Sequence, residues 1–297
     1  MIARTRVQWY AHDSGVPLEV AEREIVLTYA LCYLSKAGLL SALAFKGGTA
    51  IRKLHLGGGG RFSLDLDFTA IHRVEPEDLM LELASSVDGR TFHGITFAVE
   101  SGAYWATAES CGMEVTYGHQ WLSEGRFRVE VSCRSLPLIA PRAAQLLPQR
   151  YFQWMEMDPP PVLALDTHEI IGEKIRAAAQ RTTVRDVYDL YVFASRAYDR
   201  GVVRRIAVIK CWETHYSFDP GAFLRSVVDE KYEWADLARL VRRAELPRAH
   251  QIVRSIGESY AFLEDLQPEE ARLAQDPHGR EVELCHRLVE DLRSKFA

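Results

Sequence analysis

The sequence predicts an α+β protein in two parts, a mixed sheet with flanking helices over residues 1–160 and a helical domain over 161–297. Three observations lead there. Apolar spacing follows the helical period of about 3.6 residues before residue 40, then switches to strand-like alternation between residues 95 and 132. Prolines gather at 137, 141, 148 and 159–161, which makes this stretch the strongest break in the chain. Beyond it the pattern is helical almost throughout.

The elements follow in order. Residues 18–40 read as a long helix, because Val20, Ile25, Val26, Tyr29, Ala30, Tyr33 and Leu34 recur at helical spacing and Gly38 offers a stop. A short apolar segment at 42–46 reads as a buried strand, 50–56 as a short helix, and the run around Asp65 to Phe68 as a second strand. On 76–87, Leu79, Leu83 and Val87 share one helical face. Strands are expected at 95–100, 114–117 and 126–132, with 118–125 turning between the last two. Asp166 or Thr167 can cap a helix reaching about residue 181, and another starts at Val184. Residues 202–296 mix apolar and charged positions in helical style, with breaks at Pro220, Pro247, Pro268 and Pro277.

With 297 residues, 47% of them hydrophobic, the chain can bury a real core. A net charge of −5 excludes a wholly basic nucleic-acid binder but leaves room for a local basic face. Five scattered cysteines without CxxC spacing suggest neither a disulfide framework nor a zinc site. The first fifteen residues are too polar for a secretory leader, and no apolar run is long enough to span a membrane. A cytoplasmic protein without membrane contact is the expectation.

The chemistry concentrates in residues 45–69, FKGGTAIRKLHLGGGGRFSLDLDFT. Side chains two apart on a strand share a face, so Asp65 and Asp67 project together while Leu64, Leu66 and Phe68 turn the other way. Two carboxylates so placed repel unless a cation neutralises them, and magnesium takes carboxylate oxygens together with substrate phosphates. Gly47 and Gly48 let a phosphate approach the backbone, where the amides of the following helix favour an anion. Taken singly, Gly-Gly before a helix is also a tight turn, and Asp-x-Asp is also a solvated strand edge.

Together, and in this order, the two motifs resemble the signature of the polymerase-β-like nucleotidyltransferase superfamily. The wider wording KGGTAIRKLHL and RFSLDLDFT resembles the AbiEii/AbiGii toxin family within it, although the spacer carrying Gly57 to Gly60 is longer than usual for the superfamily. A second block, HEIIGEKIRAAAQRTTVRDVYDLY, is similar to the family's lysine-bearing helix followed by an R-D-x-x-D helix. The resemblance implies a polymerase-β-like core in which Asp65, Asp67 and a third carboxylate from a neighbouring strand hold two magnesium ions. Glu130 is the candidate for that carboxylate; a solvent-facing edge glutamate beside Arg128 is the alternative. Gly47, Gly48, Thr49, Ser63 and Lys174 would position the triphosphate of an NTP, with Arg61 as a further phosphate contact and Asp186 orienting Lys174 or touching the nucleotide. Without the resemblance, Glu173, Lys174, Arg185 and Asp189 would read as an ordinary salt-bridged helix pair.

The implied activity is transfer of a nucleotide from an NTP to an acceptor by the toxin of a bacterial type IV-like toxin-antitoxin pair. A tRNA 3′ end is the acceptor and a separately encoded antitoxin protein the partner that the resemblance implies. Nucleotidylation of a protein or small molecule is the alternative enzyme, and a non-catalytic nucleotide-binding module the alternative without chemistry. The ten histidines show no HExxH spacing, and the six tryptophans read as core or interface residues rather than stacking platforms. Basic stretches at Arg196, Arg200, Arg204, Arg205 and Lys210, and at Arg239, Arg242, Arg243, Arg248 and Arg254, read first as solvated helix faces and second as an RNA backbone surface.

Overall fold

The computed structural model describes residues 3–296. Its strands are β1 (Leu43–Lys46), β2 (Leu66–Ala70), β3 (Thr91–Phe92), β4 (Ile95–Ala98), β5 (Tyr104–Ala106), β6 (Ser110–His119), β7 (Leu122–Ser132), β8 (Arg142–Ala144) and β9 (Val162–Ala164). Among the described residues they form one mixed sheet in the order β3-β4-β6-β7-β2-β1-β9-β8, with β5 paired to β6 alongside β4. The central β2 runs parallel to β7 and antiparallel to β1. The β6–β7 hairpin is longer than the sequence suggests: His119 still pairs with Leu122, so strand runs through most of the expected 118–125 turn. Alternation decides the faces. Leu66, Phe68, Val129, Val131, Cys111 and Met113 are buried in the core, and the residues between them point to the opposite side.

Helices α1 (Arg4–Ser14), α2 (Leu18–Lys36), α3 (Gly47–Ala50) and α4 (Pro76–Val87) belong to the same compact unit, which comprises residues up to Pro137, Pro141–Ala164 and Ala238–Leu246. α2 is where the sequence expects it, ending at Lys36 with the turn completed through Gly38. It is buried almost all round, including Glu22 and Glu24. Glu22 accepts from the Tyr117 hydroxyl (2.7 Å) and pairs with His119 Nε2 (2.7 Å), tying α2 to β6. The short helix begins at Gly47, three residues earlier than expected, and continues over Ile51–Leu56 with the wider i to i+5 hydrogen bonding of a π-helix. Late in the chain, Leu240 returns to this core and its carbonyl accepts from Phe62 N (2.6 Å).

The second unit is helical: α5 (Thr167–Gln180), α6 (Val184–Ala194), α7 (Arg200–Trp212), α8 (Pro220–Asp229), α10 (Ala249–Ser259), α11 (Pro268–Ala274) and α12 (Val282–Phe296), with α9 (Trp234–Leu240) leading out of it. Asp166 is the N-cap of α5, accepting from His168 N (2.8 Å). Pro220 and Pro268 each occupy the first turn of a helix, where a missing N–H costs nothing. Leu138 and Ile139 join this unit through their amides, which donate to Glu169, a carboxylate also paired with Lys210 (2.9 Å). Part of the basic stretches is engaged in such pairs: Arg204 and Arg205 with Glu270, Arg254 with Glu258, and Arg239 with Glu19. Half of their positive charge is thus neutralised locally, and Arg239, Arg242 and Arg243 belong to the first unit while the others lie in the second.

Candidate active site

β1 delivers the Gly-Gly turn beside Asp67, and register explains why. Lys46 is the antiparallel partner of Asp67, so the chain leaves β1 immediately next to that carboxylate. Gly47 then adopts φ +74, and a Cβ there would stand 2.0 Å from Asp67 Oδ2. A Cβ on Gly48 would stand 2.2 Å from the Arg61 guanidinium. Positive φ and the close approach of Asp67 together require glycine at 47, whereas a Cβ at 48 would displace the guanidinium end of Arg61. Gly47→Ala is expected to cost about 1–3 kcal/mol of stability, because the left-handed backbone and the clash add. It should also push Asp67 out of place; a wild-type urea midpoint for this variant would contradict the geometry.

Asp65 sits just ahead of β2 rather than within it. Its place is set by hydrogen bonds: Thr49 Oγ1 donates to its carbonyl, and Oδ1 accepts from the Arg128 amide at 3.2 Å. Asp67 is in parallel register with Glu130, which puts both side chains on the face opposite the core. Asp67, half-buried, and Glu130, exposed, thus share one face, while the half-buried Asp65 stands outside the strand that the sequence expects to carry it, at the entry to β2. Ser63 and Arg61 are buried on the approach to β2, and Arg61 Nη1 donates to the Phe62 carbonyl. The oxygen donors suit a hard divalent cation, and Glu130 comes from a different strand than the aspartates. Among the described residues no three acids, histidines or cysteines are gathered closely enough to hold an ion by themselves. A cation here would therefore rely on substrate oxygens as well, as magnesium commonly does.

Two features of this neighbourhood escape the sequence reading. One is Lys46, the cross-strand neighbour of Asp67, whose only signal is its position before the glycines. The other lies beneath the turn. Arg52 and Lys53 are fully buried against Glu24 of α2, at 3.3 and 2.8 Å. Lys53 also donates to Thr28 and to the Tyr151 hydroxyl. Arg52 holds the glycine loop through the carbonyls of Gly59 (2.9 Å) and Gly60 (3.0 Å) and stacks over Phe62. Burial alone would raise the Glu24 pKa, but the two cations outweigh it and hold the carboxyl below its usual range. The long spacer noted in the sequence is therefore a pinned loop.

In the second unit the structure brings together Lys174, Asp186, Asp189 and Arg181. Lys174 Nζ reaches Asp186 at 3.0 Å and Asp189 at 2.8 Å, and Arg181 meets the other oxygen of Asp186 at 2.8 Å. Asp189 is thus as close to the lysine as Asp186 is. Burial pushes the Asp186 pKa up, but the charge of Lys174 and the hydrogen bond and charge of Arg181 prevail and bring it down to about 2. A depressed carboxyl stabilises the fold above its unfolded pKa and loses that contribution as pH falls toward the folded value. From an ordinary value of 3.8 to about 2, that is about 2 kcal/mol, present at pH 7 and lost between about pH 4 and 2. Asp186→Asn should be about that much less stable at neutral pH, and the gap should close in urea titrations repeated near pH 2.

No curated protein matches the sequence. Among solved structures, MenT4, a nucleotidyltransferase toxin from Mycobacterium tuberculosis H37Rv, superposes with a TM-score of 0.85 at 24% identity, covering 99% of this chain and 100% of that one. That similarity carries the fold: the mixed α+β architecture is that of a nucleotidyltransferase toxin. The family described as nucleotidyl transferase AbiEii toxin, type IV TA system, matches residues 29–272, which include both the glycine turn with its acid pair and the Lys174 and Asp186 helices. By that match over more than half its length, the chain belongs to the AbiEii family of nucleotidyltransferase toxins of type IV toxin-antitoxin systems.

Proposed function

We propose that the protein transfers a nucleotide from an NTP to the 3′ end of a tRNA, at a centre built on Asp65, Asp67 and Glu130. The observation that supports this most is the register of Asp67 with Glu130 on one side and with Lys46, at the mouth of the Gly47-Gly48 turn, on the other. Carboxylates for cations and amides for phosphate thereby adjoin. In this reading the backbone of Gly47 and Gly48, with Ser63 and Arg61, binds the triphosphate, and Thr49 keeps Asp65 in place through its carbonyl. Magnesium ions held by Asp65, Asp67 and Glu130 would supply charge neutralisation and a lowered pKa for the acceptor hydroxyl. The hydroxyl oxygen attacks the α-phosphorus, a new P–O bond forms, the bond to the β-phosphate breaks, and pyrophosphate leaves. Lys174, held by Asp186 and Asp189, is assigned the departing charge on the strength of the family resemblance.

A cognate antitoxin protein and a cytoplasmic setting belong to the same proposal; no helix among the described residues is long and apolar enough to cross a membrane. The test is incubation with total RNA, magnesium and each α-labelled NTP in turn, beside an Asp65→Ala Asp67→Ala variant. Label on tRNA-sized bands with wild-type protein only is the expected result. Label on protein or a small molecule instead would replace the acceptor, and no label under any NTP would favour a non-catalytic module.

A further inference from the structure

The sheet face that carries the acids continues past Glu130 to a tryptophan. Glu130 is the partner of Gly112 on β6, and Gly112 is the partner of Trp105 on β5. Partnered residues share a face, so Trp105, Gly112, Glu130, Asp67 and Lys46 form one row across five strands. The indole lies over Gly112: a Cβ there would meet Cζ2 at 2.3 Å and the neighbouring Cη2 and Cε2 at 2.7 and 2.8 Å. The nearest atom and its two nearly equidistant neighbours describe an approach along the ring normal, so one face of the ring lies on the strand. Trp105 is 38% exposed, and its ring meets no other aromatic ring or cation among the described residues. Tyr117 covers its partner Gly125 in the same sheet in the same way but is buried in the core, so what sets Trp105 apart is an indole face left open to solvent.

A cation accompanies it. Arg128 is on the same face, one row away, with its amide on Asp65 Oδ1. Glu114 opposite is engaged by Arg126 (3.1 Å), and the Arg128 guanidinium forms no ion pair or hydrogen bond with another described residue. Other arginines of this sheet are committed: Arg126 to Glu114 and Glu124, Arg134 to Glu109.

We propose that Trp105 is the stacking platform for the terminal base of a single-stranded RNA acceptor, with Arg128 contacting its phosphate. This rests on, and deepens, the nucleotidyl-transfer reading. The occupant is set by position and charge. The phosphate-binding turn follows β1, beyond Asp67, whereas Trp105 lies on the β6 side, so the base it stacks belongs to the strand that carries the attacking hydroxyl. From the strand under the ring to Asp67 is two strand spacings, about 10 Å, a distance a single nucleotide bridges. A protein acceptor offers neither a base for the indole nor a phosphate for the guanidinium.

The experiment measures binding and turnover separately. Fluorescence anisotropy with a labelled tRNA gives the acceptor Kd, and initial rates give KM for RNA and for NTP. Trp105→Ala is expected to weaken RNA binding and raise the RNA KM about tenfold, leaving the NTP KM unchanged, while Trp105→Phe retains most of the affinity. Gly112→Ala should act in the same direction, since its methyl group displaces the ring without touching substrate. Arg128→Gln should lower the salt dependence of RNA binding by about one counterion. An unchanged RNA Kd in Trp105→Ala, or an effect on the NTP KM alone, overturns the proposal, as does failure of wild-type protein to bind the RNA. If Trp105→Ala weakens RNA binding but no nucleotide is transferred, the platform stands and the transferase reading falls. If transfer to RNA is abolished by Asp67→Asn but indifferent to Trp105→Ala, the reverse holds.

Discussion

Asp67→Asn is expected to reduce transferase turnover about a thousandfold, about 4 kcal/mol of transition-state stabilisation, with stability changed by less than about 1 kcal/mol. The amide keeps the volume that packs against Gly47, so the turn need not move. On the proposed reading, what is lost is one of the three carboxylate charges that would hold a divalent cation against a triphosphate. A structural role would give the opposite outcome. If Asp67 merely braced the glycine turn, the isosteric asparagine would preserve most activity and Gly47→Ala would be the more damaging change. Turnover and urea unfolding measured on the same preparation separate the two.

Glu24→Gln is expected to destabilise the protein by about 3–5 kcal/mol, among the largest effects available to a single substitution outside the acid pair. Arg52 and Lys53 are both without solvent exposure, and Glu24 is the carboxylate that compensates them. Removing it strands two buried cations and also loosens the segment behind the Gly-Gly turn, because Arg52 positions the carbonyls of Gly59 and Gly60. Activity should therefore fall together with the unfolding midpoint, unlike the Asp67 variant. A loss under about 1 kcal/mol would mean that water reaches the cluster and that the buried network does not hold the turn.

Those two sites also mark what can and cannot be read from the residues. The glycine turn and acid pair are legible because their residue types are costly elsewhere: two carboxylates two residues apart in an apolar run, and a glycine at 47 where a Cβ would collide with Asp67. Glu24, Arg52 and Lys53 give no such signal. Charged residues in helical runs usually face water, and only the tertiary placement of α2 beneath the turn buries them. Strands of two or three residues, such as β3, β5, β8 and β9, are too short to display alternation. The proline-rich stretch that reads as a break therefore contains β8 and runs straight into β9. The return of Ala238–Leu246 to the first unit is invisible in a helical pattern that continues through it. Trp105 reads as core or interface because no alternation with basic residues marks it. Its exposure follows from β5 pairing only with β6, and its place over Gly112 from a strand register that no spacing in the chain discloses.

In the proposed reaction the acid pair directs attack on the α-phosphorus of an NTP. Parallel incubations with α-labelled and γ-labelled NTP, with and without magnesium, test it most directly. Expected are transfer of the α-label only, release of the γ-label in pyrophosphate, dependence on the divalent cation, and loss of all three in Asp67→Asn. Transfer of the γ-label to any acceptor would make the protein a kinase and contradict it.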